Sequence, residues 1–472
     1  MKQPVSLIKG DAIANGLETD YRDNLPVNFY AVKKEILGAN GYMIQYPGIT
    51  LFGTGFGKDR GGVYNERFSN QYRVSGTKMV SVSSSGVVAE LGDIPGASQA
   101  RMEGLYSFNT QAVIADGKFF LYDATTGFRE VTDTDLGSPI DGVWVDGYYF
   151  MTDGEYIFHT DIADESAIDP LKFATAEFMP DPSNGISKTQ DNKVMVWGRY
   201  TLEYFLNDAS ENFAFTRIQN RAQKIGIVAT HAKCESGSNF FITGGYKDSA
   251  VGVYKVGVGS SIKISTREID KIIKQYTEPE LSDMRMEART EDDITFILVH
   301  LPNETLCFNE STAQSFGIEL AWSILRSDTQ GRTKYRCING VNDARLSRWV
   351  YGDNQGTNIG LLDNDVCTHY GSIVESILYT AFLNLETYSI DELELETIPG
   401  HTTDINAKVA FSLTYDGLTY GKEWWQLYGE PNDYNQRFFL RRLGIVNDWV
   451  SFKFRCASAS RMAFAIMGVT YS

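Results

Sequence analysis

Short apolar runs separated by glycine-bearing turns recur along most of the chain, and they keep the period of two that belongs to strands, not the 3.6 of helices. Ala112–Ala115 meets Asp116-Gly117 and leads into Lys118–Tyr122, and Val143–Val145 meets Asp146-Gly147 and leads into Tyr148–Phe150. Tyr72–Ser75 before Gly76 and Phe150–Thr152 before Asp153-Gly154 repeat the arrangement. Asp-Gly between apolar runs is the strongest short hairpin signal, because a type I′ turn needs positive φ at both central residues. Further strands are predicted at Lys193–Gly198, Leu202–Phe205, Asn239–Thr243, Val251–Val256, Ile294–Leu301, Thr305–Phe308, Trp349–Gly352 and Ile359–Leu362. The hairpins return every ~35–50 residues between about Gly62 and Asp363, the spacing of propeller blades, and predict six or seven of them.

Three stretches depart from this texture. Ser265-Thr-Arg-Glu268 has the order of a capping box, followed by Ile269, Ile272, Ile273 and Tyr276 at helical spacing. A short helix is predicted there, ending before Pro279, with its apolar stripe as a packing face. Towards the start, Leu25-Pro26-Val27-Asn28 and Tyr46-Pro47-Gly48 place proline between polar and aromatic residues, which reads as an extended arm. After about Gly371 the strands lengthen, as in Ile390–Glu396, Ala407–Tyr415, Trp449–Arg455 and Met462–Val469, with Asp416-Gly417 as a turn and Trp424, Trp425, Phe438, Phe439 and Leu440 as bulky buried candidates. That stretch predicts a β-sandwich. The expected class is therefore all-β: an arm for partner contacts over 1–60, a β-propeller over 61–370 and a β-sandwich-like domain over 371–472.

Composition sharpens the picture. The 472 residues exceed what one core supports, and 26 Tyr, 27 Phe and 43 Gly against 12 Pro suit pleated sheets with tight turns. The formal charge of −17 argues against stable DNA binding, which needs Lys and Arg to displace counterions, although an acidic wall would suit a conduit through which DNA slides. Five cysteines with no C-x-x-C pair signal neither a zinc site nor a disulfide framework. The first residues lack a signal-peptide core and no run nears ~18 apolar residues, so synthesis in the cytoplasm is expected, with no membrane-spanning segment.

Motifs for chemistry are mostly missing. Gly53-Thr-Gly55-Phe-Gly57 lacks the spacing and the following helix of a phosphate cradle, and is read as a turn. There is no P-loop and no G-x-S-x-G elbow. His159, His231, His300, His369 and His401 are isolated, and His300 sits in a dense apolar strand as a core histidine would. Asp133, Asp135, Asp161, Asp164 and Glu165 lack the order of a calcium hand and are read as solvated turns. Asp416-Gly417 with Tyr420 resembles the aspartate turn of sialidase propellers, but in one imperfect copy. Arg437, Arg441 and Arg442 form the one basic cluster, either a contact with a partner subunit or a local salt bridge. No catalytic, cofactor-binding or metal-ligating residue is nominated, no cofactor is expected, and the chain is not expected to be an enzyme.

A set of short segments, in order along the chain, resembles one family. These are Asp20-Tyr21, Leu25–Asn28, Lys34–Leu37, Gly41-Tyr42 and Pro47–Thr50, then Ile269–Ile273 with Tyr276-Thr277, Ile297–Pro302, Tyr415–Gly421 with Glu423, Arg441–Gly444 and Phe452–Arg455. Together they resemble the tail accessory factors of short-tailed bacteriophages, also called packaged-DNA-stabilisation or tail hub proteins. The resemblance implies a structural virion protein of the tail, assembled in the host cytoplasm. It implies a hexameric ring beneath the portal and head-to-tail adaptor that closes the channel after packaging. The ring would receive the tail needle, adjoin the tailspikes and pass double-stranded DNA without sequence-specific binding. The alternatives are a propeller-fold glycan hydrolase or glycan-binding tail protein, and a monomeric propeller scaffold.

Overall fold

The computed structural model describes residues 2–5, 24–36, 38–162, 164–176, 178–327, 334–384, 387–398, 402–433 and 436–472. Asp20, Tyr21, Leu37 and His401, singled out above, lie outside the described residues.

Between 48 and 373 the strands gather into seven blades, antiparallel except where Thr368–His369 pairs parallel with Gly48–Thr54. The first runs Asp59–Asn65, Asn70–Ser75, Lys78–Val82, Val88–Asp93. The second holds Gln111–Ala115, Lys118–Asp123 and Gly127–Glu130, and segment 101–106 adds a broken inner strand through bridges Arg101↔Ile114 and Tyr106↔Gln111. The third begins at Asp141–Val145, the fourth at Ser183–Lys188, the fifth at Gly226–Ile227 and Lys233–Ser236, and the sixth at Arg285–Glu291. The seventh takes Cys337–Asp343, Arg348–Asp353 and Asn358–Asp363 from late in the chain and its next strand, Gly48–Thr54, from the beginning. Asn358↔Thr54 to Asp363↔Gly48 is thus the seam that closes the ring.

The hairpin chemistry follows the residues. Asp116 and Gly117 have φ of 50° and 74°, and Asp146 and Gly147 have 50° and 94°, so both Asp-Gly pairs make the two-residue turn that requires left-handed backbone. Asp153-Gly154 differs: only Gly154 has positive φ, and Asp153 instead caps a longer loop by accepting the Glu155 and Tyr156 amides.

The sandwich pairs two sheets around an apolar core. One sheet has the order Phe29–Val32, Tyr42–Gln45, Ala463–Tyr471, Tyr388–Thr397, Phe438–Val446, with Lys2–Val5 also against Ala463–Tyr471. The other has Ser376–Tyr379, Trp449–Cys456, Lys408–Thr414, Trp424–Leu427. Phe411, Phe452, Phe454 and Phe464 are fully buried between them. Of the stretch expected to be an extended N-terminal arm, the strands Lys2–Val5, Phe29–Val32 and Tyr42–Gln45 lie in the sandwich and Gly48–Thr54 in the last blade.

Two sequence expectations need correcting. Trp425 is 49 % exposed, because the strand Trp424–Leu427 is at a sheet edge and its ring faces out, with the Arg455 guanidinium 5.0 Å above it. The helix spans Arg267–Ile273, but the capping box is absent: Thr266 is the N-cap without a side-chain bond, and Ser265 Oγ donates to Asp270 while accepting the Val253 amide. Its stripe does pack inward, through buried Ile269 and Ile273.

Candidate functional site

A propeller brings the first strand of every blade to one axis, and here that axis is filled by charge. Asp141, fully buried at the start of the third blade, accepts from Lys233 Nζ of the fifth blade at 2.6 Å and from the Ile186 amide of the fourth at 2.7 Å. Its other oxygen is 3.2 Å from Arg101 Nε of the second. Burial alone would push this carboxyl up, but the Lys233 and Arg101 charges and the Ile186 N–H outweigh it, so its pKa lies below the ordinary value. One carboxylate therefore ties four blades across the centre.

The remaining blades are linked in the same manner. A bulge in the seventh blade turns the Asn339 and Gly340 amides towards buried Glu287 of the sixth, at 2.6 and 2.8 Å. Glu287 also takes His300 Nε2 at 3.1 Å. Desolvation opposes its ionisation, yet His300, Arg285 and the Gly340 amide bring its pKa down to about 2. Asn339, in the left-handed region at φ 56°, donates to Asp59 of the first blade at 2.7 Å, while Arg73 bonds both Asp59 and the Asn339 carbonyl. Main-chain bonds Ala100 N–H to Arg60 O and Met286 N–H to His231 O connect blades one to two and five to six.

The result is a propeller axis bridged by bonds, with a cleft at each end. Where the inner strands begin, a cleft of about 190 Å³ is lined by residues including Ser98, Asp116, Pro139, His231 and Asp283. Where they finish, one of about 240 Å³ is lined by residues including Glu103, Lys188, Lys233 and Glu235.

The second feature is the joint between propeller and sandwich. Val27 lies between Ile324 of the sixth blade and Ile377 of the sandwich, exchanging two amide bonds with Ile377 at 2.8 and 2.9 Å. The Asn28 amide donates to Ile324 O, and Ile324 N–H to Pro26 O. One sheet thus runs from the sixth blade through Val27 into the sandwich. Asn28, buried at φ 53°, donates its side-chain amide to Arg326 O and Glu375 O and accepts the Arg326 N–H. Arg461 of the sandwich donates to Gln45 O at 2.6 Å, Tyr30 Oη at 2.7 Å and Asn364 Oδ1 at 3.0 Å.

The structure does not bring the singled-out residues into one site. His159 sits among Tyr148, Phe213 and Phe215, with its Nδ1 2.9 Å from Thr160 O. His369 pairs with Ser327 Oγ, and burial, with Arg336 nearby, lowers its pKa to about 3. His300 is a buried histidine whose Nδ1 is hydrogen-bonded to Thr305 and whose Nε2 lies 3.1 Å from Glu287. Asp133 accepts the Asp135 and Ile168 amides, Asp161 pairs with Lys172, Asp164 accepts from Ser166, and Glu165 from Thr110. Gly55 and Gly57 pack tightly against Ser75 and Gly76. Arg437 and Arg441 pair with Glu394 and Glu392 of their own sheet, the local alternative. The cysteines are free thiols, four of them buried, and burial pushes Cys337 up to about 12. Among the described residues no group of three His, Cys, Asp or Glu could hold a metal, and no helix is long and apolar enough to cross a membrane.

The axial and joint residues escaped sequence reading. A polar residue opening an apolar strand, such as Asp141 before Gly142-Val-Trp-Val145, was the signal for the first.

A propeller closed by the early strand Gly48–Thr54 and fused to a β-sandwich, with buried ion pairs on its axis, defines a β-propeller–sandwich protein. Family comparison specifies the class further. Residues 3–367 match the model described as Bacteriophage P22 Gp10, beta-propeller, and residues 375–472 the model described as Bacteriophage P22 Gp10, beta-sandwich. The chain is 30% identical over 459 residues to the tail hub protein gp10 of Salmonella phage P22, covering 93% of each. The chain belongs to this P22 Gp10 family of phage tail hub proteins, which places it in the virion tail among other tail components. Two solved structures share a distant likeness. The virginiamycin B lyase of Staphylococcus aureus is 10% identical, covering 65% of this chain and 94% of that one at a TM-score of 0.41. The extracellular domain of the BT4673 two component system of B. thetaiotaomicron is 9% identical at 0.43, and the chain spans 43% of that protein.

Proposed function

We propose that this tail hub assembles as a hexameric ring that closes the portal channel after DNA packaging, joining the head-to-tail adaptor above to the needle and tailspikes. The observation that carries the reading is the match to the P22 tail hub protein along both units. Its propeller adds a physical constraint. Since Asp141, Lys233 and Arg101 cross the axis, duplex DNA has no route through one propeller, so the passage lies between copies. With a net charge of −17 per chain, exposed carboxylates are expected to line it, acting on DNA within ~8–10 Å of the wall. Kinship with a structural tail protein favours a non-enzymatic role.

The test is to package DNA in particles lacking this chain and add it back. Heads are expected to lose their DNA without it and keep it with it, with a ring of six copies by native mass. Retention of DNA in its absence would overturn the reading. Release of oligosaccharide from host polysaccharide would revive the glycan-hydrolase alternative.

A further inference from the structure

We infer that the propeller and sandwich of one copy move as a single rigid lever, so that opening of the hub takes place at contacts between copies and not at a hinge within one. The inference rests on the hub reading for the word opening, but the rigidity stands on the joint itself. A hinge needs a few residues that absorb backbone rotation while little else crosses. Here the units are welded at three separated places.

The first weld is main chain. Val27 continues the sixth blade into the sandwich sheet, and rotation there would break the paired bonds to Ile377 and those between Pro26–Asn28 and Ile324. Asn28 locks it, because its side chain binds backbone on both sides, Arg326 and Glu375, from a left-handed conformation. The second is the fan of Arg461, which reaches Asn364 Oδ1 of the propeller at 3.0 Å while also holding Tyr30 and Gln45 of its own sheet, backed by Cys367 N–H to Ala459 O at 2.7 Å. The third is helix Glu310–Phe316 of the sixth blade. Its Thr312 hydroxyl donates to Ala31 O in the sandwich sheet at 2.8 Å, and Phe316 packs against the sandwich core. Beneath them, fully buried Arg289 of the propeller stacks on Tyr46 at 4.8 Å, and Tyr30 meets Phe296 at 5.0 Å. A turn of one unit against the other would have to break hydrogen bonds at all three attachments together.

The inference is tested by spin-label distances across the joint, with labels at Ala124→Cys and Asn447→Cys in a Cys234→Ser chain. The distance is measured in the free chain, in assembled tails, and after DNA release. One narrow distance is expected, holding to about 2 Å in all three states, the scale that separates rigid from rearranged partners. A second population, or a larger shift on assembly or release, would overturn the lever. Val27→Pro, which removes the N–H to Ile377, and Arg461→Lys, which removes the fan but keeps the charge, should each broaden the distribution. If neither does, the weld is wrongly placed. A labelled chain that stays out of tails counts against the hub reading alone, and the free-chain distribution then decides the lever.

Discussion

The propeller and the sandwich solve the same problem, holding sheets together, with opposite chemistry. Between its sheets the sandwich buries an almost wholly apolar set, with Phe411 against Phe452 and Phe454 and Phe454 against Phe464. Its charges, such as the Arg437–Glu394 and Arg441–Glu392 pairs, lie on the outer face. Between its blades the propeller also packs apolar layers, but at the axis it uses Asp141, Lys233, Glu287, Asp59 and Arg73, all nearly or fully buried. Burial of apolar area is non-directional and tolerates shifts, whereas buried ion pairs are costly unless geometry is held closely. The contrast teaches that the sandwich is built for stability and the propeller axis for a fixed blade arrangement.

The sharpest way to break this contrast is Asp141→Asn. It leaves buried Lys233 without its counter-charge and removes one of the two carboxylates beside Arg101, and a loss of about 3–5 kcal/mol is expected in urea unfolding. Leu393→Ala in the sandwich core should cost about 3 kcal/mol through the cavity left behind, with no dependence on pH between 4 and 7. Acid should separate the two regions. His369 is buried neutral with its pKa near 3, so the unfolded chain, titrating near 6.5, binds the extra proton. That stability is complete above about pH 6.5 and is lost progressively as pH falls towards 3. Below about 4.5 Glu287 adds to the loss, since its pKa is about 2 when folded. His369 alone is expected to account for about 2 kcal/mol of propeller stability lost between pH 7 and 5, with His231, its pKa likewise lowered by burial to about 3, adding a comparable share; read from propeller tryptophan fluorescence, His369→Gln should make the profile shallower by about half. The smallest effect is Asn309→Ala, which removes the side-chain acceptor for the Thr312 amide at the helix start and should cost about 1 kcal/mol in the same urea titration.

Local features were readable from sequence, and long-range ones were not. The Asp116-Gly117 and Asp146-Gly147 turns announce themselves because their φ angles admit few residues, and the alternation in Ile390–Glu396 marks a half-buried strand directly. The closing strand Gly48–Thr54 could not be recognised, because its partner Asn358–Asp363 lies some three hundred residues away and pairing leaves no local mark. Helix Glu310–Phe316 was missed since Ser311, Thr312, Gln314 and Ser315 give it no apolar stripe; its N-cap Asn309 was the only cue. Trp425 misled because bulk was read as burial, when an edge strand can present an indole to solvent. The charged axis was invisible for a similar reason: a lone Asp141 or Glu287 beside an apolar strand carries no mark of the Lys233 or Asn339 it meets until the blades converge.

The closing seam also sets a clock on synthesis. Residues 48–54 leave the ribosome early, but the strand they pair with follows only after about 300 more, roughly 15–60 s later at ~5–20 residues per second. For that interval the first blades exist without a closed ring, and a strand with exposed Leu51 has an unpaired edge. A nascent chain of this kind is most open to misassembly just before its last blade appears, so slow translation or heat during infection should lower the yield of soluble hub well before either would unfold the finished protein.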